Sequence, residues 1–144
     1  VVVGGGLSAG WGVAAAIASG ADLVYMGTRS IPTLERMADP AYKQMLVDST
    51  ADDLVISAGI TGTPASWLKP SLQANGLDPD DLPSAPARSY DSNQAIGAKK
   101  WRDVWAAGQG VGAIKAVEST GAVVNRLAVE YAAARQRFSA MPSF

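Results

Sequence analysis

Two glycine-rich turns hold the residues of this sequence whose types and spacing best suit chemistry. Gly4 to Gly6 follows the apolar run Val1 to Val3, and Gly27-Thr28 follows a second run, Leu23 to Met26. Both runs are typical of short, buried β-strands. Glycines directly after a strand let backbone amides approach an anion closely, and Thr28 adds a hydroxyl donor. A single turn of this kind also serves as a plain tight bend. The pair predicts an anion site of phosphate size.

The elements that bring these turns together form a β-α-β unit. An alanine-rich helix is predicted from about Gly10 to Ser19, with Gly20 ending it in the left-handed conformation. Such units build parallel sheets and barrels, and in a (β/α)8 barrel the phosphate site lies at the loops after strands seven and eight. The fold class predicted is therefore α/β.

Further along, the chain alternates between periodic and irregular segments. Asp39-Pro40 is a helix start signal, and Leu54 to Ile56 is predicted to be extended. Pro70 to about Ala98 is rich in turn-forming residues and is predicted to be a loop, followed by a helix from Lys99 to Ala107. The last helix is predicted to bury a stripe and to leave Glu130 outside it; the stripe consists of Val124, Leu127, Tyr131 and Phe138.

Composition narrows the classes of function. The 144 residues are 48% apolar and 17% charged, which is typical of one soluble globular domain. A net charge of -1 argues against a nucleic-acid partner. The absence of Cys and His leaves no disulfide and no thiolate or imidazole metal site.

No apolar run reaches membrane-spanning length, and no targeting segment is visible, so a cytoplasmic location is expected. The opening strand, without an initiator Met, predicts a piece of a longer protein.

A dinucleotide-binding interpretation competes at the first turn. Gly4, Gly6 and Ala9 fit the G-x-G-x-x-A fingerprint of a Rossmann β-α-β unit. That motif expects an acidic residue at the end of the second strand, where this chain has none. Arg29 could instead meet the 2′-phosphate of NADP, but the Gly27-Thr28 pair is left unexplained. We place this interpretation second.

Five motifs, taken in order, carry a more specific resemblance. Together they resemble the closing strands and later landmarks of the nitronate monooxygenases, once called 2-nitropropane dioxygenases. The motifs are Gly5 to Gly12, Ala21-Asp22, Met26 to Arg29, Pro40 to Lys43 and Ala107 to Gly112.

The resemblance implies the C-terminal part of a barrel that binds flavin mononucleotide (FMN), with a mostly helical C-terminal segment. Val1 to Val3 would be strand seven and Leu23 to Met26 strand eight. Relatives commonly have Gln or Asn at the position of Tyr25, so backbone amides are expected to matter most there. The implied cofactor-binding residues are Gly5, Gly6, Tyr25, Met26, Gly27 and Thr28 around the phosphate, with Gly108 and Gln109 near the flavin edge.

The same resemblance implies that the chain divides into three parts. Residues 1–58 would be barrel units, residues 59–108 a loop-rich part of a smaller added domain, and residues 109–144 a helix packing back on the barrel. The family's proposed catalytic base is a histidine earlier in the barrel, and this chain has none. No catalytic residue is therefore assigned. The chain alone is expected to be inactive and to need the N-terminal part of the barrel as its partner; its oligomeric state stays open.

Three functions follow as hypotheses. The first is oxidation of alkyl nitronates by molecular oxygen, and its closest alternative is NAD(P)H-dependent reduction of a quinone or enoyl thioester by the same kind of flavoenzyme. The second is the Rossmann module, and the third is a non-catalytic piece that packs against another polypeptide. Among the tryptophans, Trp11, Trp101 and Trp105 are expected in the core, and Trp67 is the candidate for contact with flavin.

Overall fold

The structure is a computed structural model that describes residues 1–84 and 103–142. The later part of the predicted loop, residues 85–98, lies outside the described residues, as do Trp101 and the first part of the helix predicted at 99–107. The division into residues 1–58, 59–108 and 109–144 stays a prediction.

The first 25 residues form the predicted β-α-β unit. Strand β1 (Val2–Gly4) and strand β2 (Leu23–Tyr25) are parallel, with Val3 opposite Val24. Helix α1 (Gly10–Ala18) connects them. Gly20 follows the helix with a φ of +97°, the left-handed conformation that glycine adopts without strain. The sequence pattern therefore located this unit to within a residue or two.

One face of this two-stranded sheet is exposed, contrary to the expectation of fully buried strands. The side chains of Val2, Leu23 and Tyr25 are exposed, whereas Val3 and Val24, on the other face, are half-buried. No further strand of residues 1–84 and 103–142 pairs with β1 or β2. Apolar parallel strands are normally covered on both faces, so this open face has the character of an internal surface.

After β2 the chain makes a one-turn 3₁₀ helix (Thr28–Ser30) and then helix α2 (Pro40–Asp48). The start signal at Asp39 is confirmed, because its carboxylate Oδ1 accepts a hydrogen bond from the Ala41 amide at 2.7 Å. A second 3₁₀ turn (Ala51–Asp53) leads into the next sheet.

The second sheet is antiparallel and pairs β3 (Leu54–Ser57) with β4 (Ala65–Leu68). Residues 105–107 extend along β4, where the Leu68 amide donates to the Trp105 carbonyl at 3.0 Å and the Ala107 amide donates to the Ser66 carbonyl at 3.1 Å. The helix predicted to end at Ala107 is therefore wrong over these residues. Their backbone groups bond to a neighbouring strand that sequence spacing does not reveal.

Helix α3 (Lys69–Ala74) occupies the start of the segment predicted as a loop. That prediction is wrong at this point because Pro70, a turn former in many loops, here lies in the first turn of the helix, where a missing amide proton costs nothing. The fully buried Leu72 fixes the helix on a core cluster with Ile60, Trp67 and Val104.

The last helix, α4 (Thr120–Ser139), begins where the Ser119 hydroxyl accepts a hydrogen bond from the Ala122 amide at 3.1 Å. It packs against α1. The register of the predicted stripe is wrong at both ends, because Val124 and Phe138 are exposed while Val123 and Ala134 are buried. A separate core cluster joins α2 and β4 to the segment before α4; it contains Leu46, Leu68, Ala107, Val111 and Ile114.

Candidate functional site

The first glycine turn has a backbone that only glycine adopts readily. Gly5 and Gly6 follow β1 with φ values of +99° and +67°, and both are exposed. A Cβ atom added to either residue would have no atom within 4 Å. The turn is therefore exposed and free of neighbouring side chains, which leaves room for an anion to approach its backbone.

The second turn lies beside the first because β1 and β2 are paired. Gly4 is opposite Tyr25, and a Cβ on Gly4 would be 3.4 Å from the Tyr25 Cβ, so the tyrosine lies over the glycine. The Tyr25 ring also reaches to within 4.0 Å of the Cβ position at Gly27. Met26 is half-buried between them and Gly27 is exposed. Both turns therefore open at the same edge of the sheet.

Residues 108–110, which are distant in sequence from both turns, also lie at this edge of the sheet. The Gly108 amide donates to the Thr28 hydroxyl oxygen at 2.8 Å. At Gly110, a Cβ would be 2.6 Å from the Ser8 Oγ and 2.8 Å from the Gly6 carbonyl oxygen. The structure thus brings together the three predicted segments at Gly5-Gly6, Gly27-Thr28 and Gly108-Gln109, with Gln109 exposed at their rim.

A stacked aromatic pair positions the approach to Gly108. The rings of Tyr42 and Trp105 are stacked, with centroids 5.0 Å apart and planes at 15°. The Tyr42 hydroxyl donates to the Ala106 carbonyl, and burial raises the pKa of this hydroxyl above its ordinary value. Through Tyr42, helix α2 therefore holds the extended residues 105–107 in place. The next residue, Gly108, donates to the Thr28 hydroxyl.

The donors present suit the phosphate of a mononucleotide. Gly5 and Gly6 are exposed, and the Thr28 hydroxyl at the same edge of the sheet accepts from Gly108 and so keeps its own proton to donate. The absence of side chains above both glycines leaves space for a ligand oxygen. These features fit an anion held by backbone amides and one hydroxyl.

The dinucleotide interpretation meets two obstacles. A Rossmann unit places the pyrophosphate at the N-terminus of the helix after the first strand, but here the Gly10 amide donates to the Glu130 Oε2 at 2.6 Å. Arg29, which would bind the 2′-phosphate, is 3% exposed and pairs with Glu118. The Glu130 carboxylate thus occupies the helix amide that would bind the pyrophosphate, and burial keeps Arg29 from a 2′-phosphate.

Two absences hold for the part of the chain that the structure describes. Within it, no three acidic, His or Cys side chains are grouped as metal ligands. Its helices include none with both the length and the hydropathy needed to cross a bilayer.

Sequence reasoning missed three contacts around this site. Ser8 packs against Gly110, Glu118 pairs with Arg29, and Glu130 bonds to Gly10. Ser8 lies inside the motif Gly5 to Gly12, so the sequence carries a signal for it. Nothing local to Glu118 or Glu130 signals a partner 89 or 120 residues away.

Comparison with known proteins gives a consistent family. The family described as nitronate monooxygenase matches residues 1–130. The nitronate monooxygenase of Paraburkholderia phytofirmans is 32% identical over 99 residues, covering 68% of this chain and 27% of that protein. The probable nitronate monooxygenase of Staphylococcus saprophyticus is 30% identical over 113 residues, covering 73% of this chain and 32% of that protein.

Two solved structures share the fold. A FabK mutant from Thermotoga maritima superposes with a TM-score of 0.71 at 26% identity, covering 96% of this chain and 43% of that chain. The nitroalkane oxidase of Streptomyces ansochromogenes has a TM-score of 0.69 at 31% identity, covering 95% of this chain and 40% of that chain. The predicted fold class is confirmed: the chain is α/β and corresponds to part of a flavoenzyme TIM barrel.

Proposed function

The chain belongs to the nitronate monooxygenase family, and on that premise we propose that the protein is an FMN-dependent oxidoreductase that oxidises alkyl nitronates with molecular oxygen. The chain spans about a third of the length of the curated relatives it matches (27% and 32%). The proposal therefore concerns the whole protein, to which this chain contributes one end of the cofactor site. Both the family and its structural neighbours are flavin-dependent oxidoreductases.

The observation that carries the proposal is the hydrogen bond from the Gly108 amide to the Thr28 hydroxyl. It joins the segment expected at the flavin edge to the segment expected at the flavin phosphate. The exposed glycines Gly5 and Gly6 at the same edge supply backbone amides and room for one phosphate group, which supports the proposal. FMN has one phosphate at the end of its side chain, which matches a site of this size.

The residues of this chain bind and orient the cofactor in the proposed reaction. When bound, the flavin supplies the electron transfer. Gly5, Gly6 and Gly27 would hold the phosphate through backbone amides, and Thr28 would donate its hydroxyl proton to a phosphate oxygen. Gln109, exposed at the rim, would lie beside the ring system. The chain has no histidine, so we propose that the base that manages the substrate proton belongs to the rest of the protein.

The open face of β1–β2 supports the same proposal. Val2 and Leu23 are exposed apolar residues on strands of a parallel pair. We propose that this face contacts the remaining strands of the barrel, which would then be the chain's first partner. A nitronate or a similar small molecule would be the substrate of the assembled site.

A matched pair of variants tests the cofactor site in the full-length protein. Thr28→Val removes the hydroxyl, whereas Thr28→Ser keeps it. We expect Thr28→Val to lower FMN affinity by about tenfold, which is ~1.4 kcal/mol, and Thr28→Ser to change it by less than about threefold. Equilibrium titration of the apoprotein with FMN measures both. Equal affinities in all three proteins would refute the assignment of Thr28.

Oxygen consumption tests the reaction itself. We expect the purified, flavin-loaded protein to consume oxygen when a propyl nitronate is added, and not to oxidise NADH when a quinone is added instead. The reverse result would favour NAD(P)H-dependent reduction of a quinone or enoyl thioester. That second candidate stands because the similarity to FabK (TM-score 0.71) is as high as that to nitroalkane oxidase (0.69). A protein that binds no flavin would refute both.

A further inference from the structure

Arg29 is a buried cation directly beside the proposed phosphate site. It follows Thr28 in the 3₁₀ turn Thr28–Ser30 and is only 3% exposed. Its Nη2 lies 3.2 Å from the Glu118 Oε2, and its buried Nη1 has no hydrogen-bond partner among the described residues. Burying a guanidinium that is only partly paired costs stability, so a structural purpose alone does not account for it.

Glu118 is a fixed attachment point for this side chain. Its backbone amide donates to the Pro32 carbonyl at 3.3 Å, and its carbonyl accepts from the Leu34 amide at 2.9 Å. Its carboxylate, 17% exposed, also pairs with Arg126, a residue of α4 that is 42% exposed. Two guanidinium groups thus share one carboxylate, and solvent screens the pairing with the exposed Arg126 more strongly than the pairing with the buried Arg29.

A single segment, residues 108–118, holds the turn at Thr28 and Arg29 at two points. At one end of residues 108–118, the Gly108 amide bonds to the Thr28 hydroxyl; at the other end, Glu118 bonds to Arg29. The side chains of two consecutive residues are thus fixed by the two ends of the same segment. A shift of Arg29 would move Thr28 and the backbone at Gly27 with it.

We propose that Arg29 is a positioning residue for the phosphate: through its pairing with Glu118 it fixes the Gly27-Thr28 turn. This inference rests on the proposed FMN site. It assigns Arg29 no contact with the cofactor. Supporting residues that lock donors in place are what give a binding site its geometry.

Comparison of FMN with riboflavin tests this proposal, because riboflavin lacks the phosphate. Dissociation constants are measured by quenching of flavin fluorescence on the full-length apoprotein. We expect Arg29→Met to weaken FMN binding by about tenfold and riboflavin binding by less than about twofold. Arg29→Lys, which can still pair with Glu118, should restore FMN affinity to within about threefold of the wild type.

Arg126→Met is the matched control. It removes the other partner of the same carboxylate from the exposed side, and we expect no change for either ligand. Glu118→Gln is a second variant, which keeps an acceptor for Arg29 while removing the charge; we expect a loss of about threefold for FMN alone. It is the deciding variant if Arg29→Met fails to fold.

The outcomes separate the role of Arg29 from the existence of the site. Equal losses for FMN and riboflavin in Arg29→Met or Glu118→Gln, or no loss for either, would overturn the role of Arg29. A wild-type protein that binds FMN no more tightly than riboflavin, or binds neither, would instead overturn the proposed phosphate site on which that role rests.

Discussion

Glu130 of α4 accepts a hydrogen bond from the backbone amide of Gly10, the first residue of α1, across 2.6 Å. At the same position α4 leaves no room for a side chain, since a Cβ on Gly10 would be 2.2 Å from the Leu127 carbonyl oxygen and 2.6 Å from the Tyr131 nitrogen. The two helices therefore meet backbone to backbone, and a carboxylate of one satisfies an end amide of the other.

Substitution of Gly10 should force these helices apart. We expect Gly10→Ala to lower the free energy of unfolding by about 1–3 kcal/mol, because the clash is with backbone atoms that cannot rotate away. Chemical denaturation of the full-length protein measures this. The control is Gly12→Ala in the same helix, whose Cβ would meet the Leu7 Cδ2 at 2.9 Å, at the flexible end of a side chain. A Gly12→Ala variant as unstable as Gly10→Ala would contradict the close contact with α4.

Substitution of Gly110 should disturb the cofactor site rather than the helices. An added Cβ would press on the Gly6 carbonyl and on Ser8, and would displace the first glycine turn. We expect Gly110→Ala to weaken FMN binding by about tenfold. Gly112→Ala, two residues away, meets nothing within 4 Å and should bind FMN like the wild type. Unchanged FMN affinity in Gly110→Ala would mean that Gly6 takes no part in binding.

Acid should weaken the start of α4 through Glu35. The Glu35 carboxylate accepts hydrogen bonds from the Thr120 amide and hydroxyl, and these bonds hold the pKa of the exposed carboxyl below its ordinary value of 4.5. A pKa lowered in the folded state gives stability that is present above pH 4.5 and is lost as the pH falls through the lowered value.

We therefore expect Glu35→Gln to melt at a lower temperature than the wild type at pH 7. The difference between the two melting temperatures should become smaller below pH 4.5. Thermal melts from pH 3 to pH 7 measure it. A gap that is independent of pH would show that the carboxylate charge contributes nothing at the start of this helix.

Alkali should act on the stacked pair through Tyr42. Burial raises the pKa of its hydroxyl above 10.0, so the stability it gives is complete below pH 10.0 and is lost as the pH rises through the raised value. Tyr42→Phe keeps the stack on Trp105 and loses the bond to the Ala106 carbonyl, which should cost about 0.5–1.5 kcal/mol at pH 7. Denaturation at pH 7 and pH 11 checks both statements, since the variant should be the less pH-sensitive protein.

Local pattern is enough to predict the first unit and the site residues that share it. Strand, glycine turn and helix follow one another within residues 1–28, so their spacing carries the geometry. The family resemblance implies only that Gly108 lies near the flavin edge. Its hydrogen bond to the Thr28 hydroxyl could not be predicted, because a contact across 80 residues leaves no local periodicity.

The tryptophans illustrate the limit of the burial argument. Trp11, expected in the core, is 43% exposed, whereas Trp67, the candidate for flavin contact, is fully buried and donates its indole N–H to the Ser57 carbonyl at 3.1 Å. Trp67 lies in strand β4, which the irregular sequence around it does not predict. At Trp67, pairing with a neighbouring strand outweighs local composition.

The contacts that close the site also set an order of events in synthesis. Thr28 and Gly108 are 80 residues apart, and Gly10 and Glu130 are 120 apart. Contacts this distant form late, because long loops must close before they form. A nascent chain still attached to the ribosome has both glycine turns long before it has the amide that orients Thr28 or the carboxylate that caps α1. Flavin retention should therefore begin only after Gly108 and Glu130 have been synthesised and can reach the two glycine turns.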